Sequence, residues 1–119
     1  MAKDGHTKYN PRQKNGHRRR NIRARLKAMG MPCAICGRPI HYDEPSDADH
    51  PLSFVVDEIN PVSRFREFGY DTPTQAALDW NNVQAVHYIC NARKGARTMR
   101  EFQKRVETIT RSNFLDGEW

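Results

Sequence analysis

The sequence predicts a small α+β domain, stapled by a structural zinc ion and preceded by a basic N-terminal arm and helix. Two ligand pairs, two β-branched runs and a sharp charge asymmetry carry that expectation. Cys33-Ala-Ile-Cys36 and His87-Tyr-Ile-Cys90 use all three cysteines of the chain. A two-residue spacing lets one turn of backbone aim both donors at one ion, and Cys₃His is a standard closed zinc set. An odd cysteine count in these spacings suits a reducing compartment and a metal better than disulfides. Residues 54–59 and 83–86 read as strands, the first ended by Asn60-Pro61 and the second leading into His87. Residues 1–29 hold ten Lys/Arg against Asp4 alone, and the other 90 residues hold ten against 13 Asp/Glu. A basic arm on a mildly acidic body points to a polyanion as partner.

In chain order, residues 1–16 are polar, lack periodicity and read as a disordered basic arm. Residues 17–29 place Ile22, Leu26 and Met29 at helical spacing among Arg18, Arg19, Arg20, Arg23, Arg25 and Lys27, and Gly30 with Pro32 ends the helix. Gly37, after the second cysteine, allows the tight turn of a zinc knuckle. Residues 38–53 read as an acidic, proline-rich loop, and 62–70 as a loop offering Arg64 and Arg66 to phosphate. Thr72-Pro73 opens a short helix through Leu78. One long helix is expected over residues 91–111, its apolar positions Ala92, Ala96, Met99, Phe102, Val106 and Ile109 stepping by three or four. Gly95 inside that helix would cost about 1 kcal/mol against alanine. Residues 17–111 thus form one domain, and 112–119 a tail in which Phe114, Leu115 and Trp119 could dock on the core.

With 119 residues and 37% hydrophobic content, the core is thin, and a metal would matter for stability. No apolar run reaches the 18 or so residues of a membrane span, so a soluble protein with no membrane partner is expected. The N-terminus lacks the apolar stretch of a secretory signal.

Taken together, Cys33-x-x-Cys36, Phe54-Val-Val-Asp57-Glu58-Ile-Asn-Pro61, Asn82-Val-Gln84, His87-x-x-Cys90-Asn91 and Lys94-Gly95 resemble the HNH endonuclease family. The likeness spans roughly residues 18–100, and is greatest to the short HNH proteins of actinobacterial bacteriophages. The resemblance implies a ββα-metal (His-Me finger) fold and metal-dependent hydrolysis of DNA phosphodiesters with little sequence preference. It also implies a phage terminase large subunit as partner and the cytoplasm of a bacterial host as location. Asp57 and Asn91 would hold a catalytic Mg²⁺ or Mn²⁺, a hard cation that takes few protein oxygens and keeps several waters. Asn82 would tie the connecting loop to the backbone and help orient the base.

The chain departs from the family at the base itself. Where the family places histidine after the strand's Asp, this chain has Glu58. An imidazole, with a pKa of about 6.5, accepts a proton readily at neutral pH, whereas a carboxylate of about 4.3 is a weaker base. Glu58 is therefore the candidate base, or a holder of the metal-bound water. Asp49-His50 is a second Asp-His pair, but it lies in the loop before the strand. Arg93, Lys94 and Arg97 are expected to meet phosphate at the helix start, joining Arg18, Arg19, Arg20, Arg23 and Arg64. Two rivals remain open: a zinc-stabilised DNA-binding or packaging module whose nuclease has lapsed through Glu58, and a structural RNA-binding zinc protein.

Overall fold

The computed structural model describes residues 16–115, with side chains through residue 109. The expected arm, Gly16 apart, lies outside the described residues, as do the side chains of Phe114 and Leu115 and the whole of Trp119.

Helix α1 (Gly16–Met29) carries so many arginines that only Leu26 is fully buried along it. The arginines themselves supply much of its packing. Arg23 lies over the Phe54 ring at 4.4 Å and Arg25 over the Trp80 ring at 3.8 Å. Guanidinium stems and faces can cover apolar surface while the charge stays near water. Gly30, at φ 61°, closes the helix with its amide donating to the carbonyls of Leu26 and Lys27.

Strands β1 (Phe54–Glu58) and β2 (Val83–His87) form an antiparallel pair, with Phe54 opposite His87 and Glu58 opposite Val83. The knuckle is tied to this hairpin by Ala34 N–H donating to Ala85 O at 3.0 Å. One core cluster holds Leu26, Cys33, Ile40, Phe54, Val83, Ala85, Val86 and Cys90, joining α1, the knuckle and both strands. A smaller cluster of Val62, Ala76 and Ala77 packs with Phe65 and Tyr70.

Between the strands run a 3-10 segment (Val62–Phe68), helix α2 (Pro73–Leu78) and a single 3-10 turn (Trp80–Asn82). The first corrects the expected loop over 62–70. In α2 the Thr72 hydroxyl accepts from Gln75 N–H at 3.2 Å, so the Thr-Pro start acts as read.

The long helix of residues 91–111 is also corrected, because it is two helices. α3 (Tyr88–Lys94) starts three residues early with His87 at its cap position, and α4 runs over Met99–Leu115. Gly95 ends α3 at φ 60°, ψ −139°, a backbone conformation open essentially to glycine alone. Thr98 and Glu101 then reopen the chain as a reciprocal capping box. Glu101 N–H donates to Thr98 Oγ1 and Thr98 N–H to Glu101 Oε1, each at 3.0 Å. Asn91 accordingly sits within α3 and is not its cap.

Candidate metal centre and adjoining cleft

The ligand atoms of Cys33, Cys36, His87 and Cys90 all lie within 4.8 Å of one another. Among the described residues this is the one group of three or more His, Cys, Asp or Glu side chains close enough to share an ion. Each ligand is placed by local backbone. In the knuckle, Gly37 N–H donates to Cys33 O at 2.8 Å and Cys33 N–H to Arg38 O at 2.9 Å, while Gly37 adopts φ 78°. The hairpin delivers His87 at its last residue, and the first turn of α3 brings Cys90 back beside it.

The donor set fits zinc. His87 Nδ1 lies 3.2 Å from Cys36 Sγ and 3.7 Å from Cys90 Sγ. Zn–S and Zn–N bonds of about 2.3 and 2.0 Å at a tetrahedral angle imply a nitrogen–sulfur edge of about 3.5 Å. The other ring nitrogen, Nε2, lies 2.8 Å from Pro39 O, the outer partner that fixes the tautomer of a ligating histidine. His87 N–H also donates to Cys33 Sγ at 3.3 Å. Burial first, then the neighbouring Cys33 and Cys36, pushes the Cys90 thiol up to about 12. Packing thiolates together without countercharge is unfavourable, and a divalent cation would remove that penalty. The cluster could therefore hold a metal ion and is compatible with structural zinc.

Where the hairpin meets α3 opens a cleft of about 470 Å³ lined in part by Asp57, Glu58, Asn91, Lys94 and Gly95. Asp57 is buried, with Oδ2 accepting from Gln84 Nε2 at 2.9 Å and Oδ1 from Lys94 Nζ at 3.2 Å. Its carboxyl is raised above the usual range: burial raises it, and Gln84 and Lys94 offset that only partly. Glu58, next along the strand, belongs by alternation to the other face. There Arg19 Nη2 pairs with Glu58 Oε2 at 3.2 Å. Asn91 lines the same cleft as Asp57, and Glu58 borders that cleft too, its backbone oxygen accepting from Lys94.

Two residues expected to face phosphate are engaged in the fold. Lys94 is only 1% exposed, and besides Asp57 it donates to Glu58 O at 2.9 Å. Its reach inward follows from α3 lying against β1, which the sequence alone did not disclose. Arg64 forks onto Glu67 and Glu101, with N–O distances from 2.7 to 3.0 Å. Arg19 and Arg23 are half-buried against the hairpin, Arg18, Arg20 and Arg93 are exposed, and Arg97 turns back onto the carbonyls of Arg93 and Lys94. His50 bonds Asp47 at 2.7 Å and is not part of the cleft lining.

Asn82 is 2% exposed. Its amide nitrogen donates to Asn60 O and Ala76 O, and its oxygen accepts from Asn60 N–H at 2.9 Å. It thereby ties the end of β1 and the connecting segment to the start of β2. Gln84 was not anticipated as an Asp57 partner. The pairing of Asp57 with Gln84 across the hairpin is the signal, legible once the register is known.

Comparison of the chain with models of known protein families, with curated proteins and with solved structures finds no match.

Proposed function

We propose that this chain is a metal-dependent DNA endonuclease of the HNH type, with Cys33, Cys36, His87 and Cys90 holding a structural zinc ion. The observation that carries the reading is the shared cleft: Asp57, Glu58 and Asn91 line one opening, and Asn91 directly follows Cys90 of the four-ligand cluster on α3. Asp57 and Asn91 offer one carboxylate and one amide oxygen, a donor set suited in type to Mg²⁺ or Mn²⁺. When bound, such a cation would offset charge on the phosphate and stabilise the leaving oxygen. Gln84 and Lys94 hold the Asp57 carboxylate in place, and Asn82 fixes the loop that leaves β1. Glu58 is the candidate base, and to take a proton from water its carboxylate has to leave the Arg19 pair on the other face of β1, while exposed Arg18, Arg20 and Arg93 engage the DNA backbone. A terminase large subunit as partner and a bacterial cytoplasm as location belong to the same proposal, on the resemblance alone.

A specific observation favours the second reading, a DNA-binding module whose nuclease has lapsed. Both acids already face cations, Asp57 facing Lys94 and Glu58 facing Arg19. Supercoiled plasmid incubated with zinc-loaded protein and Mg²⁺ or Mn²⁺ separates the two. The nuclease gives relaxed or linear product, and Asp57→Asn or Asn91→Ala lowers the rate by about 100-fold. Duplex binding without product under any divalent metal replaces the nuclease with the binding module.

A further inference from the structure

Helix α4 carries an apolar stripe at Met99, Phe102, Val106 and Ile109, and its other described side chains are all polar or charged. None of these side chains is buried, and Val106 and Ile109 are 45% and 49% exposed. With Ile35 of the knuckle, Met99, Phe102 and Val106 border an open groove of about 480 Å³ edged by Gln103 and Glu107. A continuous apolar face on an otherwise polar helix calls for a partner. The spacing of the stripe identifies which one. Its steps of three, four and three residues read the same from either end, so the stripe is complementary to a reversed copy of itself. Self-complementarity of that kind is what a two-fold interface requires.

We propose that this face is covered by α4 of a second copy of the chain, laid antiparallel across a two-fold axis level with Lys104. In that register Met99 of each copy meets Ile109 of the other and Phe102 meets Val106, the alternating layers of a paired amphipathic helix. The polar flanks agree with it. Arg105 comes level with Glu101 of the second copy to within about 3 Å along the axis, and Gln103 with its Glu107 likewise. Arg105 also meets its own counterpart, so the row reads Glu, Arg, Arg, Glu and each arginine keeps a carboxylate. Two such helices, 17 residues and about 25 Å long, bury roughly 1,000–1,200 Å² in total with Ile35 included, the lower edge of specific interfaces. The dimer is therefore weak and reversible, with a Kd of about 10 µM. It needs neither DNA nor nuclease activity.

Sedimentation equilibrium of the zinc-loaded 119-residue chain without DNA, from about 1 to about 300 µM, tests this. Wild type passes from monomer to dimer over that range. Val106→Glu raises the Kd by more than about 100-fold, because each copy then buries an unpaired carboxylate. Val106 is exposed in the single chain, so the unfolding midpoint at low concentration stays unchanged. Gln103→Lys, set against Glu107 of the second copy, tightens the dimer by about threefold, and Gln103→Glu loosens it as much. A parallel pair would bring residue 103 near Arg105 of the other copy and reverse both signs. Wild type that stays monomeric throughout, Val106→Glu that associates as well as wild type, or reversed signs at residue 103 overturns the antiparallel dimer. So does a Val106→Glu chain whose midpoint falls at concentrations where wild type is monomeric, since the same chain then covers the face.

Discussion

Lys94 and Asp57 form a buried ion pair at the floor of the cleft, with side chains 1% and 5% exposed. The attraction between such charges is set against the cost of dehydrating both, so the pair is poor evidence of net stability. Breaking it is another matter, because one charge then stays buried alone. Lys94→Met is expected to cost about 3 kcal/mol in urea unfolding at constant zinc, and Asp57→Asn in that background to recover part of it. The pH dependence has a definite sign. The Asp57 carboxyl is raised by burial, against the opposing pull of Gln84 and Lys94. The folded state therefore holds that proton more tightly than the unfolded chain does. Its contribution is greatest below the unfolded value of about 3.9 and is lost as pH rises through the folded one. Unfolding of wild type and Asp57→Asn compared from about pH 7 to about pH 4 should show wild type gaining relative stability as pH falls. A gap that narrows or reverses toward acid would show that Asp57 is not raised. Lys94→Met should steepen the trend, since it removes one of the opposing pulls.

At the scale of elements, the break between α3 and α4 decides what faces the cleft. A continuous helix would carry residues 91–111 along one axis, whereas Gly95 stops α3 and Thr98 starts α4 afresh. The two arrangements predict opposite signs for Gly95→Ala. Alanine in the middle of a helix would stabilise by about 0.4–1 kcal/mol, but at φ 60°, ψ −139° it should cost about 1–3 kcal/mol in thermal or urea unfolding. Thr98→Ala should cost about 1 kcal/mol through loss of the cap, read as faster amide exchange in the first turn of α4. Glu101 completes that cap and is held at about 2, first by hydrogen bonding to Arg64 and then by Thr98 N–H. The contribution of a depressed carboxyl is present above its unfolded value and lost as pH falls through the folded one. A carboxyl titration of Glu101 should return toward the usual glutamate range in Arg64→Ala. Much of this region was legible in the chain. The two strands, the short Thr72–Pro73 helix start and the four-residue cluster that could hold a metal all follow from local spacing. The α3–α4 break was written there too, in Gly95 and in Thr-x-x-Glu at 98–101. The apolar steps from Ala92 through Met99 concealed it by continuing a helical rhythm across the gap. The inward turn of Lys94, the capture of Arg64 by two glutamates and the Arg19–Glu58 pair depend on which elements touch. A basic side chain looks alike in sequence whether it meets phosphate or a neighbouring carboxylate.

For the molecule as a whole, the four candidate ligands join two segments separated by a long stretch of chain, alongside the Ala34–Ala85 hydrogen bond and the apolar cluster that also link them. Cys33 and Cys36 precede the hairpin, whereas His87 and Cys90 close it and open α3. The main core cluster includes Cys33 and Cys90 among its eight buried members, so the metal site and the apolar interior are one structure. An ion bound there stabilises only the folded chain, and its binding free energy becomes folding free energy. The purified protein is expected to carry one zinc ion per chain, measured by elemental analysis. Cobalt substitution should give the absorption of a tetrahedral thiolate site. Stripping the ion with a strong chelator should abolish cooperative unfolding or lower its midpoint steeply, because a thin core is left with a cluster of uncompensated donors. Cys33→Ser should behave like the stripped protein. Acid should act in the same direction, since protons compete with the ion for every thiolate, and Cys90, raised to about 12 without it, regains its proton readily. Zinc release and loss of tertiary structure should therefore coincide on one pH titration. If the ion leaves while near-UV circular dichroism and unfolding cooperativity persist, the staple is not what holds hairpin, knuckle and α3 together. The apolar cluster around Phe54 and Val86 would then have to suffice alone.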